Sequence, residues 1–160
     1  TYNFEVADTH TYFVLQEGKV DGCFAVWVHN IGACKISYDK AGNITRVRAT
    51  IDELGKGTGT TQAARDFFKK AGKKYEVGHI IGKLLGGGGG KLSENVFAQL
   101  RKINRGQYRK FEKRVAEIVQ DLGKAKIDIK LMNRNKLGIP QKIIYNVKSK
   151  GVNITEKFKN

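Results

Sequence analysis

A histidine, three carboxamides and a carboxylate follow one another through the middle of the chain: His79, Asn95, Gln99, Asn104 and Glu112. A neutral imidazole is the side chain best suited to take a proton near pH 7. Amide oxygens, together with water, are hard donors of the kind Mg²⁺ accepts, and that ion keeps most of its waters and takes few protein groups. Asn104 and Glu112 stand eight residues apart, two turns of helix, so on one helix their side chains lie on roughly the same side. If the strand carrying His79 packs against the start of that helix, imidazole and carboxamides surround one cavity. Taken alone, His79 between Gly78 and Ile80-Ile81, with no second His and no Cys-x-x-Cys nearby, reads as a hydrogen-bonded structural residue. The series downstream turns the reading toward chemistry.

Other chemistry-bearing patterns fail on spacing. The run Gly86 to Gly90 invites a nucleotide loop, but G-x-x-x-x-G-K-[ST] ending at Lys91 meets Leu85 and Leu92 where Gly and Ser or Thr are required. No choice of first glycine completes G-x-G-x-x-G either, and a flexible loop that lets substrate approach is the expectation. Cys23 and Cys34 could form one disulfide, and with His10 and His29 a zinc site is imaginable, but metal-ligand spacing is missing.

The elements that must position these residues are readable from periodicity and punctuation. Residues 1–30 suggest short strands at Tyr2 to Val6, Thr11 to Val14 and Cys23 to Val28, too few to bury a core alone, so a larger module is expected upstream of Thr1. Asn30 to Cys34 reads as a small-residue linker. Lys35 to Tyr38 and Ile44 to Ile51 flank an Asp-Lys-Ala-Gly-Asn turn and form a hairpin with Arg46 and Arg48 on one face. Thr60 or Thr61 caps a helix that runs to Ala71 and stops at Gly72. Tyr75 to Leu85 is strand-like. Tyr108, Phe111, Val115, Ile118, Val119 and Leu122 recur at helical steps, with Asn104 and Gln107 as a capping box and Gly123 as the stop. Strands at Lys126 to Met132, Gln141 to Val147 and Val152 to Phe158 complete an α+β chain with an antiparallel sheet and packed helices, without internal repeats.

Charge names the class of partner. The 160 residues carry 30 Lys+Arg against 15 Asp+Glu, net +15. Residues 1–30 hold one base and four acids, whereas residues 31–160 hold 29 bases against 11 acids, net +18. A domain this basic expects a polyanion, and phosphate backbones are the usual one. The longest apolar run, Cys23 to Val28, is far short of the roughly 20 residues that span a bilayer, and Thr1 opens no signal-peptide pattern. No membrane span is expected.

The central series resembles the DNA/RNA non-specific endonucleases, the ββα-metal or His-Me finger nucleases. Glu76-Val77-Gly78-His79, Gly86-Gly87, Asn95-Val96-Phe97-Ala98-Gln99, Asn104-Arg105-Gly106-Gln107-Tyr108 and Glu112 are similar to that family's D-R-G-H, N-x-x-P-Q, N-x-G-x-W/Y and final Glu. Leu137-Gly138-Ile139-Pro140 is similar to its later turn, and the likeness covers residues 36–160. Glu76, Val77 and Ala98 depart from the pattern, standing for Asp, Arg and Pro, and the Arg such families place on the upstream hairpin falls near Asn43. The resemblance implies a ββα-metal core in which His79 is the general base and Asn104 the direct Mg²⁺ ligand. Glu112 would hold the metal's waters, with Asn95 and Gln99 fixing His79 and the metal-bearing turn. Arg46, Arg48, Lys83, Arg105 and Arg109 are candidate nucleic-acid contacts and phosphate clamps, and the sequence does not choose between them.

Residues 1–30 resemble the C-terminal blocks of Hint (intein-like) domains that precede bacterial polymorphic toxins. Asn30, with His29 before it, matches the residue that cyclises to cut the chain behind itself, and His10 matches the earlier block; without the nucleophile block no efficient self-cleavage is expected. Together the resemblances imply a processing remnant at residues 1–30 and a Mg²⁺-dependent nuclease toxin at residues 31–160. They further imply a secreted effector that cuts DNA or RNA in a target cell's cytoplasm, restrained by an acidic immunity protein. A metal-independent ribonuclease and a non-catalytic nucleic-acid-binding module are the competing functions. DNA or RNA preference and oligomeric state are open.

Overall fold

The computed structural model describes residues 2–6, 11–15, 31–90 and 95–160, with side chains described from Cys34 onward. Two strands near the start, β1 (Tyr2–Val6) and β2 (Thr11–Leu15), pair antiparallel as a hairpin, Tyr2 opposite Leu15 and Val6 opposite Thr11. The expected strand at Cys23 to Val28, and with it His10, His29 and Asn30, lies outside the described residues.

The main body is α+β. A five-stranded antiparallel sheet runs in the order β3 (Ile31–Tyr38), β4 (Ile44–Ile51), β7 (Ala125–Arg134), β8 (Pro140–Ser149), β9 (Val152–Lys159). Strict alternation decides its faces. Val47, Ala49 and Ile51 of β4 and Ile127, Ile129 and Leu131 of β7 are buried, while the intervening residues point away. The helix α3 (Arg109–Leu122) lays Phe111, Val115, Ala116 and Val119 on this apolar face. Trimming one such side chain, Ile129→Ala, should cost about 2–5 kcal/mol. α3 ends as expected at Gly123, whose φ of 78° accommodates the left-handed stop.

A second, two-stranded sheet carries the candidate site. In it β5 (Tyr75–His79) pairs antiparallel with β6 (Val96–Leu100), His79 opposite Val96. The helix α1 (Gln62–Phe68) packs beside both strands and is capped by Thr61, whose Oγ1 accepts from Ala64 N at 3.2 Å.

Three expectations about element limits are corrected. Ile31 to Cys34 is strand rather than linker: Ile31 pairs with Ile51, and an irregularity between Gly32 and Lys35 absorbs the small residues. The strand of His79 stops at that residue instead of running to Leu85. Beyond it the Asn95 carboxamide satisfies Ile81 on both sides, accepting from its N–H and donating to its C=O, so no further strand pairing is required. Finally, Asn104 and Gln107 form no capping box, because helix already begins with α2 (Arg101–Ile103) and continues through a π-helical turn at Asn104–Tyr108 into α3. Gly106 in that turn leaves helical geometry (φ −104°, ψ −107°). Eight residues of regular helix would leave Asn104 and Glu112 about 80° apart around the axis. The wider turn rotates less per residue and brings them back toward one side.

Candidate active site

His79 ends β5 half-buried, its ring held from behind by backbone. Its Nε2–H donates to the Thr58 carbonyl at 2.9 Å, which assigns Nδ1 the lone pair. Burial lowers the imidazole pKa below its usual value; the Thr58 hydrogen bond opposes this and the charge of Lys83 adds to it. The ring is therefore neutral near pH 7.

The glycine run explains how Thr58 stays in place, and it corrects the expectation of a flexible substrate loop. Gly86, Gly87 and Gly89 are buried. Thr58 N donates to Gly87 O, Thr61 N to Gly89 O, and Gly89 N to Thr58 Oγ1, so the 55–61 segment and the glycine run brace each other. A Cβ on Gly89 would stand 2.5 Å from Gly59 O and 2.7 Å from His79 Nε2; one on Gly57 would stand 2.4 Å from Lys83 O. Glycine is required here because two backbones approach closely behind the imidazole.

Opposite His79, the π turn presents Asn104. Its Nδ2 donates to Glu76 Oε1 at 2.9 Å, turning the amide oxygen away from that carboxylate. Glu76 also takes a two-pronged contact from Arg105 (Nε 3.0 Å, Nη2 2.7 Å) and lies 3.5 Å from Arg101. Burial raises the Glu76 pKa, but the hydrogen bonds from Arg105 and Asn104 and the two arginine charges outweigh it, and the net shift is downward. Glu76 is thus an ionised strut that orients Asn104.

Glu112, in the first turn of α3, accepts from Gly82 N through Oε1 at 2.6 Å. A Cβ on Gly82 would fall 2.4 Å from Glu112 Oε2, so this close seat also demands glycine. The residue is half-buried, yet its carboxyl head lies deep: burial pushes the pKa up to about 8 against the Gly82 hydrogen bond. Tyr108 O–H donates to Ile80 O at 2.5 Å and fastens the same turn to the segment after His79.

These pieces line one open cleft of about 630 Å³, which contains His79, Asn104 and Glu112 together with Lys83, Arg105 and Arg109. Three of the expected clamps are therefore beside the imidazole, while Arg105 is already engaged by Glu76. Arg46 and Arg48 are not there. They project from the opposite side of the five-stranded sheet, Arg46 in a bidentate pair with Asp128 (2.7 and 2.6 Å), because β4 alternation sends Val47 and Ala49 to the core. Asn95 and Gln99 are buried and do not line the cleft. Asn95 ties Ile81 to Gly88, one step removed from His79. Gln99 packs against Gly78 with its amide lacking a hydrogen-bond partner among the described residues, so it supports the strand by contact rather than by a bond.

No cluster of three His, Cys, Asp or Glu side chains suited to a metal occurs among the described residues. The donors available are instead the Asn104 amide oxygen and the deep Glu112 carboxyl, a sparse oxygen set that suits a hard cation retaining water. The residues fit such an ion. Sequence reasoning missed Thr58, Gly82 and the strut role of Glu76; only the glycines hinted that backbone crowds the site.

Comparison with known proteins decides the family. The DNA/RNA non-specific endonuclease profile matches residues 26–151. The chain belongs to that family of endonucleases. It is 37% identical over 140 residues to the probable deoxyribonuclease RhsA of Dickeya dadantii (strain 3937), covering 84% of this chain and 10% of that protein. The chain thus spans about a tenth of that relative's length. Its fold is similar to NucA from Streptococcus agalactiae, solved with magnesium bound (TM-score 0.63, 15% identity, 83% of this chain and 77% of that one). The metal-free NucA structure is also similar (TM-score 0.58, 13% identity, 80% and 70%). Within the family's fold, β5, β6 and the α2 to α3 helix form the ββα unit that carries the cleft. No helix among the described residues is long and apolar enough to cross a membrane.

Proposed function

We propose that residues 31–160 form a Mg²⁺-dependent endonuclease domain that hydrolyses DNA phosphodiesters without regard to sequence. The observation that carries it is the meeting, in one basic cleft, of a neutral imidazole with an assigned acceptor nitrogen and a sparse oxygen-donor pair. His79 Nδ1 takes the proton of the attacking water, and Thr58 stabilises the resulting imidazolium through Nε2–H. Lys83 and Arg109 bind the phosphate and offset its charge. Asn104, directly, and Glu112, through water, would hold the cation, which supplies Lewis-acid stabilisation of the leaving 3′ oxygen and the phosphorane-like charge. Glu76 keeps the Asn104 oxygen aimed by fixing its amide nitrogen. Family membership supports phosphodiester hydrolysis, and the deoxyribonuclease name of the RhsA relative favours DNA.

The context follows the same relative. Residues 1–30 are read as a Hint-type remnant with His10, His29 and Asn30 as its processing residues, and residues 31–160 as a toxin moiety. It is delivered as a secreted effector to a target cell's cytoplasm and restrained by an acidic immunity protein matched to its +18 charge. The test is to incubate residues 31–160 with plasmid DNA and with total RNA, in Mg²⁺ and in EDTA, beside His79→Ala. DNA loss that needs the metal and vanishes in the variant supports the reading. Cutting that survives both EDTA and the substitution overturns it, and RNA-only cutting in EDTA returns the metal-independent ribonuclease.

A further inference from the structure

The side of the five-stranded sheet turned away from α3 is a second basic surface, separated from the cleft by the hydrophobic core. Register places its charges in rows. Lys35 of β3 stands beside Arg48 of β4, and Lys126 of β7 lies directly opposite Lys148 of β8. Further along, Lys130 aligns through Ile144 with Lys157, and Lys142 lies opposite Lys159 on the edge strand. Asp128 is the one acid on this face of these strands among the described residues, and it is already consumed by Arg46. The neighbouring charges hold its carboxyl below the usual range, the Arg46 hydrogen bond most of all.

Like charges directly opposite one another destabilise an antiparallel pair. The sheet keeps two such pairs where a carboxylate could have alternated, so this face is not arranged for the sheet's own stability. Strands about 4.8 Å apart, with same-face residues about every 7 Å, make the rows a lattice of cations. An open depression of about 660 Å³ runs across them, floored by short polar side chains such as Asn146, Asn153 and Thr155 between the lysines. Lys35, Lys126, Lys148 and Lys157 are exposed.

We propose that this face is a second docking surface for nucleic-acid backbone, which tethers a long polymer by its phosphates while the cleft cuts elsewhere along it. The inference deepens the nuclease reading, since it names the same polymer as occupant. Charge complementarity selects a polyanion, and the composition selects phosphate over acidic protein. Protein interfaces centre on aromatic anchors and are poor in lysine, whereas this face has no aromatic residue and only Ile144 and Met132 as apolar ones. Small hydroxyl and amide side chains among cations are the ordinary means of gripping phosphate and sugar. Tethering raises the local concentration of cuttable bonds without touching the chemistry.

The test measures binding of a fluorescein-labelled 40-base-pair duplex in EDTA, over a salt series, to residues 31–160 and to the variant Lys35→Gln, Lys126→Gln, Lys148→Gln, Lys157→Gln. Removing four phosphate contacts should lower the slope of log affinity against log salt by about 3–4. Between 50 and 200 mM salt the native protein should then lose about a hundredfold more affinity than the variant. Hydrolysis of a hexanucleotide in Mg²⁺, too short to reach the sheet from the cleft, should keep its kcat and KM, and the quadruple Lys→Arg protein should recover the slope. A thermal melt guards against misfolding, and relief of like-charge pairs predicts a midpoint at or above the native one. Equal duplex affinity and slope in both proteins overturns the inference; so does loss of poly-L-glutamate binding without loss of duplex binding, which would make the face a dock for acidic protein. Because binding is read in EDTA, a protein that cuts nothing under any condition would sink the nuclease reading alone.

Discussion

The cleft and the outer sheet face are both basic, yet they are built on opposite plans. In the cleft each polar group is held by a named partner: His79 by Thr58, Asn104 and Arg105 by Glu76, Glu112 by Gly82. On the outer face Arg46 is locked to Asp128, while the lysines simply repeat at the intervals of the pleat. Moving a proton requires one geometry, and a misplacement of an ångström is expensive. Holding a polyanion requires density of charge and tolerates sloppy geometry. The cleft should therefore break at single residues and the face only when several change together.

The sharpest single break is His79→Ala. With no other imidazole among the described residues of the cleft, DNA cleavage in Mg²⁺ should fall by about 10²–10⁴. Far-ultraviolet circular dichroism should be unchanged, because Thr58 keeps its bonds to the glycine run. A folded variant within tenfold of the native rate would mean that the base is another group.

Glu112 tests how far the cleft's precision opposes stability. Folded, its carboxyl titrates near pH 8; unfolded, near 4.5. Between those values the folded protein holds a proton that the unfolded chain has released, so stability falls as pH rises across the window. The full span is worth about 5 kcal/mol. Urea unfolding in EDTA at pH 5 and pH 8 should show this decline, and Glu112→Gln, which keeps an acceptor for Gly82 N–H, should abolish it. A native protein equally stable at both values would show that the carboxyl is better solvated than its burial implies.

Gly89 and Gly90 sharpen the contrast within one run of glycines. A methyl at 89 meets Gly59 O and the His79 ring, whereas one at 90 meets nothing within 4 Å. Gly89→Ala should reduce cleavage about a hundredfold by shifting Thr58 and the ring, and lower the melting temperature; Gly90→Ala should alter neither. Equal effects at the two positions would return the loop to the flexible element that its composition suggests.

What was legible in the sequence follows the same division. The alternation in β4 and β7 and the helical steps of α3 depend on nearest neighbours along the chain, so their faces could be read directly. Spacing from Asn95 to Glu112 carried the chemistry, because a motif records which residues meet even when it hides how. The carbonyl of Thr58 was invisible, since every residue has a carbonyl and only the tertiary approach of two loops selects one. Gly106 was visible as a residue but not as a π turn, because the insertion is driven by seating Asn104 on Glu76 and Tyr108 on Ile80 at once. Arg46 and Arg48 went to the wrong side because a basic hairpin face says nothing about which side of the core the active residues occupy.

The smallest effect belongs to the outer face, where one substitution removes one element of a repeated pattern. Lys148 lies directly opposite Lys126, and both are exposed. Lys148→Glu replaces a like-charge pair by an opposite one and should stabilise the fold by about 0.2–1 kcal/mol, a rise of no more than a few degrees in Tm. The gain should shrink in high salt, since both charges are in water. If the variant instead melts lower, the two side chains do not face each other as the register requires, and the rows of charge assigned to this face dissolve with it. If it melts higher while binding duplex only slightly less well, the two regions differ as argued: one residue decides the cleft, whereas the sheet depends on the sum of many.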